Sequence, residues 1–155
     1  MAASAVATER LGAELFVKSY DCDPGSTGAT YASPDGGTTP WYLDMRDYLR
    51  AGVMVRPTIV GGNGITLVEV YASTDVAGAT SATLIKTSGA IQADSLNDVV
   101  FLEWTAEEIA QAAPSTALRY VTVKMTNATN TDESNLTFIG VPRRPQTGLT
   151  ATLIT

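Results

Sequence analysis

The chain contains no histidine, a single cysteine and few aromatic residues, and each shortage excludes a class of function. Without histidine, the commonest general base near neutral pH and the usual zinc ligand are both missing. Cys22 has no partner for an internal disulfide, which argues against a disulfide-stapled secreted domain. We therefore expect no catalytic residues, no metal site and no cofactor.

Long apolar runs and positive charge are scarce as well. No stretch approaches the roughly 20 apolar residues of a transmembrane helix, and residues 1–10 lack the basic and apolar segments of a signal peptide. Sixteen acidic residues against ten basic ones give a net charge of -6, which repels a phosphate backbone. We expect a protein made in the cytosol, with neither a membrane nor a nucleic acid as partner.

Two other kinds of site would use residues that the chain does contain. Paired carboxylates can hydrolyse glycosides, but surface acids are the plainer interpretation of an acidic chain. The segment DCDPGSTG at residues 21–28 begins like a calcium loop, yet Ala32 stands where the closing glutamate belongs. A weak cation site with Asp21 and Asp23 stays open, beside an ordinary turn.

Short β-prone segments separated by turns make up most of the chain. Its 155 residues fit one domain, and the many Thr, Val, Gly and Ser residues favour strands and tight turns. Residues 41–50 are compatible with a short helix or with a strand and a turn. Strands are predicted at 13–20, 53–60, 65–73, 82–87, 98–104, 118–126 and 135–141. We predict a mostly β fold, an antiparallel β-sandwich of the jelly-roll kind, without a defined strand order.

Local signals predict how some segments are connected. Residues 61–64, Gly-Gly-Asn-Gly, lie between two apolar runs and predict a β-hairpin. Pro57 places the first of these runs at a sheet edge or a bulge. Thr105 and Glu108 have the spacing of a capping box, so we predict one short helix that ends before Pro114.

Two strands have apolar patterns that predict which side chains are buried. In the segment 118–126, Val121, Val123 and Met125 share one face and polar residues share the other, which predicts one solvent-facing side. Trp104 ends an apolar run beside the predicted helix, so we expect it in the core.

The predicted β-sandwich domain spans residues 13–141, between an N-terminal arm at 1–12 and a C-terminal arm at 142–155. Residues 21–40 are rich in Gly and Pro and predict a long loop that docks on a neighbour, or a hairpin excursion. Extended arms of this kind can add a strand to the sheet edge of another molecule.

Candidate interface residues lie around these loops and arms. They are Leu11 at the end of the N-terminal arm, Trp41 and Tyr42 after the loop, and Arg143 and Arg144 after the last strand. Aromatic and arginine side chains contribute most binding energy in protein interfaces, and an arginine pair can bind carboxylates of a partner. Trp41 and Tyr42 also suit a stacking surface for glycans.

Five segments between residues 41 and 144 share a pattern with a known group of proteins. They are WYLDMRDYLRAGVMV, ITLVEVYASTDVAGATSATLIKTSGAI, VVFLEWTAEEI, LRYVTVKMTNAT and TFIGVPRR. Together they resemble small structural proteins of tailed-bacteriophage virions, and the shared motifs are structural rather than catalytic. The resemblance implies a capsid decoration or cement protein, made in the host cytoplasm, that sits as a trimer on the major capsid protein lattice.

Two alternatives remain beside the decoration protein. The first is a structural protein of the phage tail, neck or head fibre, where small β-sandwiches also occur. The second is a glycan-binding β-sandwich module that uses Trp41 and Tyr42. Under every one of these hypotheses the protein acts by binding, and we do not expect it to be an enzyme.

Overall fold

A computed structural model of the chain describes residues 16–22, 28–31, 42–74, 82–114, 116–129 and 131–143. Within these ranges it contains nine strands and one helix, α1 (Ala106–Ala112). No helix in the described ranges is long and apolar enough to cross a membrane. The strands are β1 (Phe16–Cys22), β2 (Gly28–Tyr31), β3 (Leu43–Asp44), β4 (Tyr48–Ile59), β5 (Ile65–Ser73), β6 (Thr83–Thr87), β7 (Val100–Thr105), β8 (Tyr120–Asn127) and β9 (Glu133–Pro142).

The strands pair antiparallel in a nested order. β1 pairs with β9, β2 with β8, β4 with β7, and β5 with β6. Two further pairings, β4 with β9 and β5 with β8, join these ribbons into sheet A, ordered β1-β9-β4-β7, and sheet B, ordered β2-β8-β5-β6. The short β3 also pairs with β8. A long antiparallel ribbon wound around a common core in this way is a jelly roll, so the predicted fold class is confirmed.

The two sheets bury one face of each against the other in a single core. Burial of one branched aliphatic or aromatic side chain contributes about 1.5–3 kcal/mol, which makes this interface the main source of stability. The fully buried side chains include Val53, Val55, Trp104, Leu136 and Phe138 from sheet A, and Val68, Val70, Val121, Val123 and Met125 from sheet B. The prediction that Trp104 fills the core is therefore confirmed.

The predicted solvent-facing side of residues 118–126 is only partly present. Lys124 and Thr126 are partly exposed. Thr122, two residues before Lys124 on the same strand, is fully buried. Because β8 lies inside sheet B, with strands paired on both of its sides, its outer face is more protected than sequence alternation alone indicates.

The capping box at α1 is confirmed. The Thr105 hydroxyl accepts a hydrogen bond from the Glu108 backbone N–H at 3.1 Å, and the Glu108 carboxylate accepts one from the Thr105 backbone N–H at 2.7 Å. The helix ends at Ala112, before Pro114, as predicted. For residues 41–50 the strand and turn are correct, because β3 is followed by a turn and then by β4, without a helix.

The predicted hairpin between residues 53–60 and 65–73 is wrong. β4 pairs with β7 and β9 in sheet A, whereas β5 pairs with β6 and β8 in sheet B, so residues 60–64 cross from one sheet to the other. The predicted irregularity at Pro57 is confirmed, since β4 has left β7 after Val55 and its register on β9 shifts after Pro57.

Asp132 holds this crossing connection in place. Its buried carboxylate accepts hydrogen bonds from the backbone N–H groups of Gly61, Gly62 and Thr129 at 2.8 to 2.9 Å, and from the Thr129 hydroxyl at 2.8 Å. The connections β4 to β5 and β8 to β9 are thereby tied together. The conformation of the connection at residues 60–64 is thus fixed by hydrogen bonds to Asp132, about 70 residues away, and not by its glycines alone.

The segment predicted as one loop, 21–40, also contains regular structure. β1 continues to Cys22, and β2 (Gly28–Tyr31) follows in the other sheet, so this part of the chain passes from one sheet to the other. The residues between Tyr31 and Tyr42 and the arm at 1–12 lie outside the described ranges. The last strand extends one residue into the predicted C-terminal arm, to Pro142.

Phe138 and Phe101 provide a matched test of the assigned faces, since both belong to sheet A. Phe138 is fully buried, whereas Phe101 is 53% exposed. We expect Phe138→Ala to lower the free energy of unfolding by about 3–5 kcal/mol, through lost burial and a residual cavity. Phe101→Ala should cost about 1 kcal/mol or less. Urea unfolding of both variants measures the difference, and equal losses would contradict the assignment.

Asp132 should make stability depend on pH below its ordinary pKa. Burial alone would raise the pKa of Asp132, but the hydrogen bonds from Thr129, Gly62 and Gly61 together lower it below its ordinary value of 3.8. A lowered folded pKa stabilises the fold above pH 3.8, and this contribution is lost as the pH falls through the folded pKa.

We expect Asp132→Ala to lower the free energy of unfolding at pH 7 by about 2–4 kcal/mol, because buried N–H donors lose their acceptor. The variant should also lose less stability than the parent between pH 7 and pH 3, as measured by urea unfolding at both values. Asp94→Asn is the control. The Asp94 carboxylate is exposed and accepts its hydrogen bond from a side chain, Gln92, at 2.8 Å, so its removal leaves no buried backbone donor without an acceptor. An unchanged acid response in Asp132→Ala would contradict the assigned role.

Candidate functional site

The structure describes two of the five predicted interface residues. Tyr42 is partly buried, with its hydroxyl oxygen inside the protein, and is therefore no open stacking surface by itself. Arg143 is exposed, and its backbone N–H donates to the Asp47 carbonyl at 2.8 Å, just beyond the end of β9. The described residues do not include Leu11, Trp41 and Arg144, for which an interface role stays a prediction.

Two carboxylates, those of Asp44 and Glu103, are paired with arginine. The Asp44 carboxylate accepts two hydrogen bonds from the Arg119 side chain, the shorter at 2.5 Å, and one from the Arg46 side chain at 3.0 Å. Glu103 lies 3.3 Å from Arg50. The described residues include no group of three or more His, Cys, Asp or Glu side chains placed to hold a metal ion. Of the two residues considered for a weak cation site, Asp21 and Asp23, the second lies outside the described ranges.

An apolar surface centred on the exposed Phe101 lies on the outer face of sheet A. Ala51 and Val53 face the core on β4, so the residues between and beside them face outward. The register places Ile139 directly opposite Gly52, Phe101 opposite Met54, and Val141 opposite Arg50. We name the outward-facing apolar set the outer patch; it consists of Gly52, Met54, Phe101, Ile139 and Val141.

A shallow groove of about 140 Å³ lies within the outer patch. Its floor is Gly52, where an added Cβ would lie 2.9 Å from the Phe101 ring, so only glycine lets that ring lie across β4. The Arg50 and Glu103 side chains line it on one side. An apolar cavity of roughly 150 Å³ accommodates benzene, so this groove has room for one branched aliphatic side chain.

The edge of sheet A next to the outer patch is partly closed. β7 is the edge strand, and the Lys86 ammonium on β6 donates to the Glu103 backbone carbonyl at 2.6 Å. The same ammonium donates to the Glu108 carboxylate at 3.0 Å. Hydrogen bonds from Lys86 and then from the Thr105 backbone lower the pKa of Glu108, so the carboxylate stays charged at neutral pH. We name these three residues, Lys86, Glu103 and Glu108, the edge clip.

The edge clip limits how another strand can approach β7. Thr105 donates its backbone N–H to Glu108, away from β4, so Phe101, Glu103 and Thr105 direct their backbone groups to the open edge. Lys86 and Glu108 occupy two of these groups at the helix end of the strand. Charged side chains at an edge strand oppose strand addition. The edge clip therefore disfavours strand addition at the helix end of β7.

The outer patch is an apolar surface. Its members carry no titratable side chain, and the charged groups at its border, Arg50 and Glu103, are paired with one another. Phe101 is exposed, Met54, Ile139 and Val141 are partly exposed, and Gly52 is buried. An apolar surface with charged residues at its border is compatible with a protein-binding surface.

The sequence contained part of the signal for this surface. The run DVVFLEW has apolar residues at alternate positions on both faces, with Val100, Leu102 and Trp104 on one and Val99 and Phe101 on the other. A strand with two apolar faces is compatible with burial on both sides or with an exposed apolar surface. Only the packing of sheet A distinguishes these cases, because one of its faces meets sheet B and the face that carries Val99 and Phe101 does not.

Comparison with known proteins identifies no family. No protein-family model and no curated protein matches the chain. Among solved structures, it is similar to a chain of infectious bursal disease virus, Gt strain, with 12% identity and a TM-score of 0.39 over 85% of this chain. For the Gx strain the values are 11%, 0.36 and 84%. The chain spans about a third of the length of these viral chains, 32% and 30%.

These neighbours are weak, and they belong to an animal virus rather than to a tailed phage. At this level of similarity the assignment of the jelly roll rests on the strand pairing and not on the neighbours. The chain is thus a jelly-roll protein with an exposed apolar outer patch, and its family stays undefined by comparison.

Proposed function

We propose that the chain is a structural protein of a tailed-phage virion, and specifically a decoration protein that binds and stabilises the lattice of the major capsid protein. The observation that carries the proposal is the outer patch, an apolar surface without a titratable side chain. The resemblance of residues 41–144 to small phage structural proteins supports the choice of a virion as the place where this surface acts.

The fold is compatible with this role and does not identify it. Jelly rolls occur in viral capsid domains, in lectins and in cupins, and a fold by itself does not define a function. A glycan-binding role would need an exposed aromatic platform, and the described member of the predicted pair, Tyr42, has a buried hydroxyl. We therefore favour a protein partner.

A decoration protein must bind a large lattice through a small domain, and multivalent binding is one way to reach sufficient affinity. Individual contacts of modest size gain strength when several copies are linked and bind together, because later contacts form at high effective concentration. The proposed trimer would supply this multivalency. The net charge of -6 also fits a partner other than the packaged nucleic acid.

Sedimentation with capsids tests the proposal. Purified protein mixed with undecorated, expanded capsids of the virus that encodes it should sediment with the particles at a saturable number of copies. Phe101→Glu should reduce bound copies at least tenfold, because a charge buried against the outer patch is unfavourable. Leu84→Glu is the matched control, as Leu84 is 45% exposed on sheet B, and it should bind like the parent.

Absence of bound copies with the parent protein would reject the decoration role. If the protein instead binds purified tails or necks, the virion role stands and the location on the capsid is wrong. Equal loss of binding in Phe101→Glu and Leu84→Glu would remove the outer patch from the proposal.

A further inference from the structure

We propose that the outer face of sheet A recognises a segment of the major capsid protein that places a branched aliphatic side chain in the groove and a carboxylate on Arg56. This inference rests on the proposed function, because it keeps the capsid protein as the partner and names the chemistry of the segment that is bound. The two requirements come from two positions on β4: the groove has Gly52 as its floor, and Arg56 lies four residues further along the strand.

Arg56 lies on the same face of sheet A as the groove. Val53 and Val55 on the same strand are fully buried in the core, so the alternation of β4 directs Arg56 outward, where it is exposed. Its register partner on β9 is Asn135, an uncharged residue. Arg56 therefore belongs to the surface that continues from the outer patch along β4.

A hydrogen bond holds the Arg56 guanidinium in place. Its Nε–H donates to the Leu96 carbonyl at 2.9 Å. Leu96 lies in a turn that is itself closed, because the Asp98 backbone N–H donates to the Ser95 carbonyl at 3.0 Å and the Asp98 carboxylate accepts from the Ser95 backbone N–H at 2.9 Å. The guanidinium is thus positioned before a partner binds, which lowers the entropy cost of binding.

The Arg56 guanidinium forms no ion pair within the part of the chain that the structure describes. The ion pairs found there use the cations of Arg46, Arg50, Lys86 and Arg119. With its Nε–H bound to the Leu96 carbonyl, Arg56 keeps its two terminal nitrogens for a partner. Two such nitrogens match the two oxygens of a carboxylate in a bidentate contact.

The charges on the outer positions of β4 and β7 leave one positive charge unbalanced. Arg50 and Glu103 lie 3.3 Å apart and neutralise each other at the border of the groove, whereas Arg56 has no such partner on these two strands. The whole chain carries a net charge of -6, so a strongly acidic surface would be repelled. One carboxylate within an otherwise uncharged segment fits this distribution of charge.

The separation of the groove from Arg56 sets a spacing in the partner. Four residues of an extended strand span about 13 Å, and alternate side chains point to the same side. An extended segment lying along β4 would therefore reach Gly52 and Arg56 with side chains that are also four positions apart. Between them Met54 and Phe101 face outward opposite each other, so the middle of the segment meets apolar surface. We expect a Val, Leu or Ile in the capsid protein with an Asp or Glu four positions before or after it.

Cross-linking to capsids tests for the carboxylate directly. Arg56→Lys introduces a primary amine, and a carbodiimide joins an amine to a carboxylate in contact with it as an amide, with loss of water. Mixed with undecorated, expanded capsids of the virus that encodes it, the variant should form a cross-link from position 56 to an Asp or Glu of the major capsid protein, located by mass spectrometry. The guanidinium of the parent does not couple in this way, so the parent should give no cross-link from this position.

Binding at two salt concentrations separates the charge from the position of the turn. Arg56→Gln should bind capsids about tenfold more weakly than the parent at about 50 mM NaCl, and the difference should shrink at about 500 mM, because salt screens an ion pair. Arg56→Lys keeps the charge without the planar fork and should bind between the two. Lys124→Gln removes the same charge from the outer face of sheet B and should bind like the parent. Urea unfolding of each variant checks that the fold is intact.

The outcomes distinguish this inference from the proposed function. A parent protein that does not bind capsids would reject the decoration role and this inference with it. Binding of Arg56→Lys without a cross-link from position 56, or with one only to a carboxylate of its own chain, would overturn the inference and leave the decoration role in place. So would Arg56→Gln binding like the parent at both salt concentrations. Equal weakening of both Arg56 variants at both salt concentrations would assign the effect to the lost Leu96 contact, and would also overturn it.

Discussion

Burial of two apolar sheet faces against each other is the constraint on which the rest of this structure depends. The aromatic content is low, so the core is built largely from valine, with Trp104 and Phe138 as its largest side chains. Valine is stiff and short, and it fills the space between two sheets only when the strands keep a strict inward register. The nested pairing supplies that register, because each strand is held by hydrogen bonds on at least one side.

The same constraint explains why the polar residues that matter structurally lie at the ends of strands. A chain that crosses between two sheets must satisfy the backbone groups of its connections away from the ladder. Asp132 does so for Gly61 and Gly62, and Asp44 with Arg119 joins β3 to the start of β8. The charged side chains in these places are thus bound to their neighbours.

The outer patch and the edge clip together describe how the protein can associate with others. An exposed sheet edge invites uncontrolled strand addition, and Lys86 with Glu108 closes the helix end of β7. The exposed face next to it offers a groove instead, floored by Gly52. Contact through a face with a defined groove is more selective than contact through an edge, because a side chain of the right shape must fill it.

The sequence by itself determined the type and the approximate position of most elements. Period-two alternation located strands, and the Thr105 and Glu108 pair located the helix, since both signals depend on residues only two to four positions apart. It also indicated a β-sandwich that acts by binding, from the missing histidine and the acidic charge. The glycines at 61–64 led to the wrong prediction of a hairpin, because their local preference is overridden by the carboxylate of Asp132, about 70 residues away.

The tertiary structure alone decided the strand order and which apolar side chains lie on the surface. Strand order depends on pairings such as β1 with β9, which join positions more than a hundred residues apart and leave no local trace. Phe101 and Phe138 look alike in sequence, each within an apolar strand. Their opposite burial follows from which face of sheet A meets sheet B, and that is a property of packing between sheets rather than of either strand.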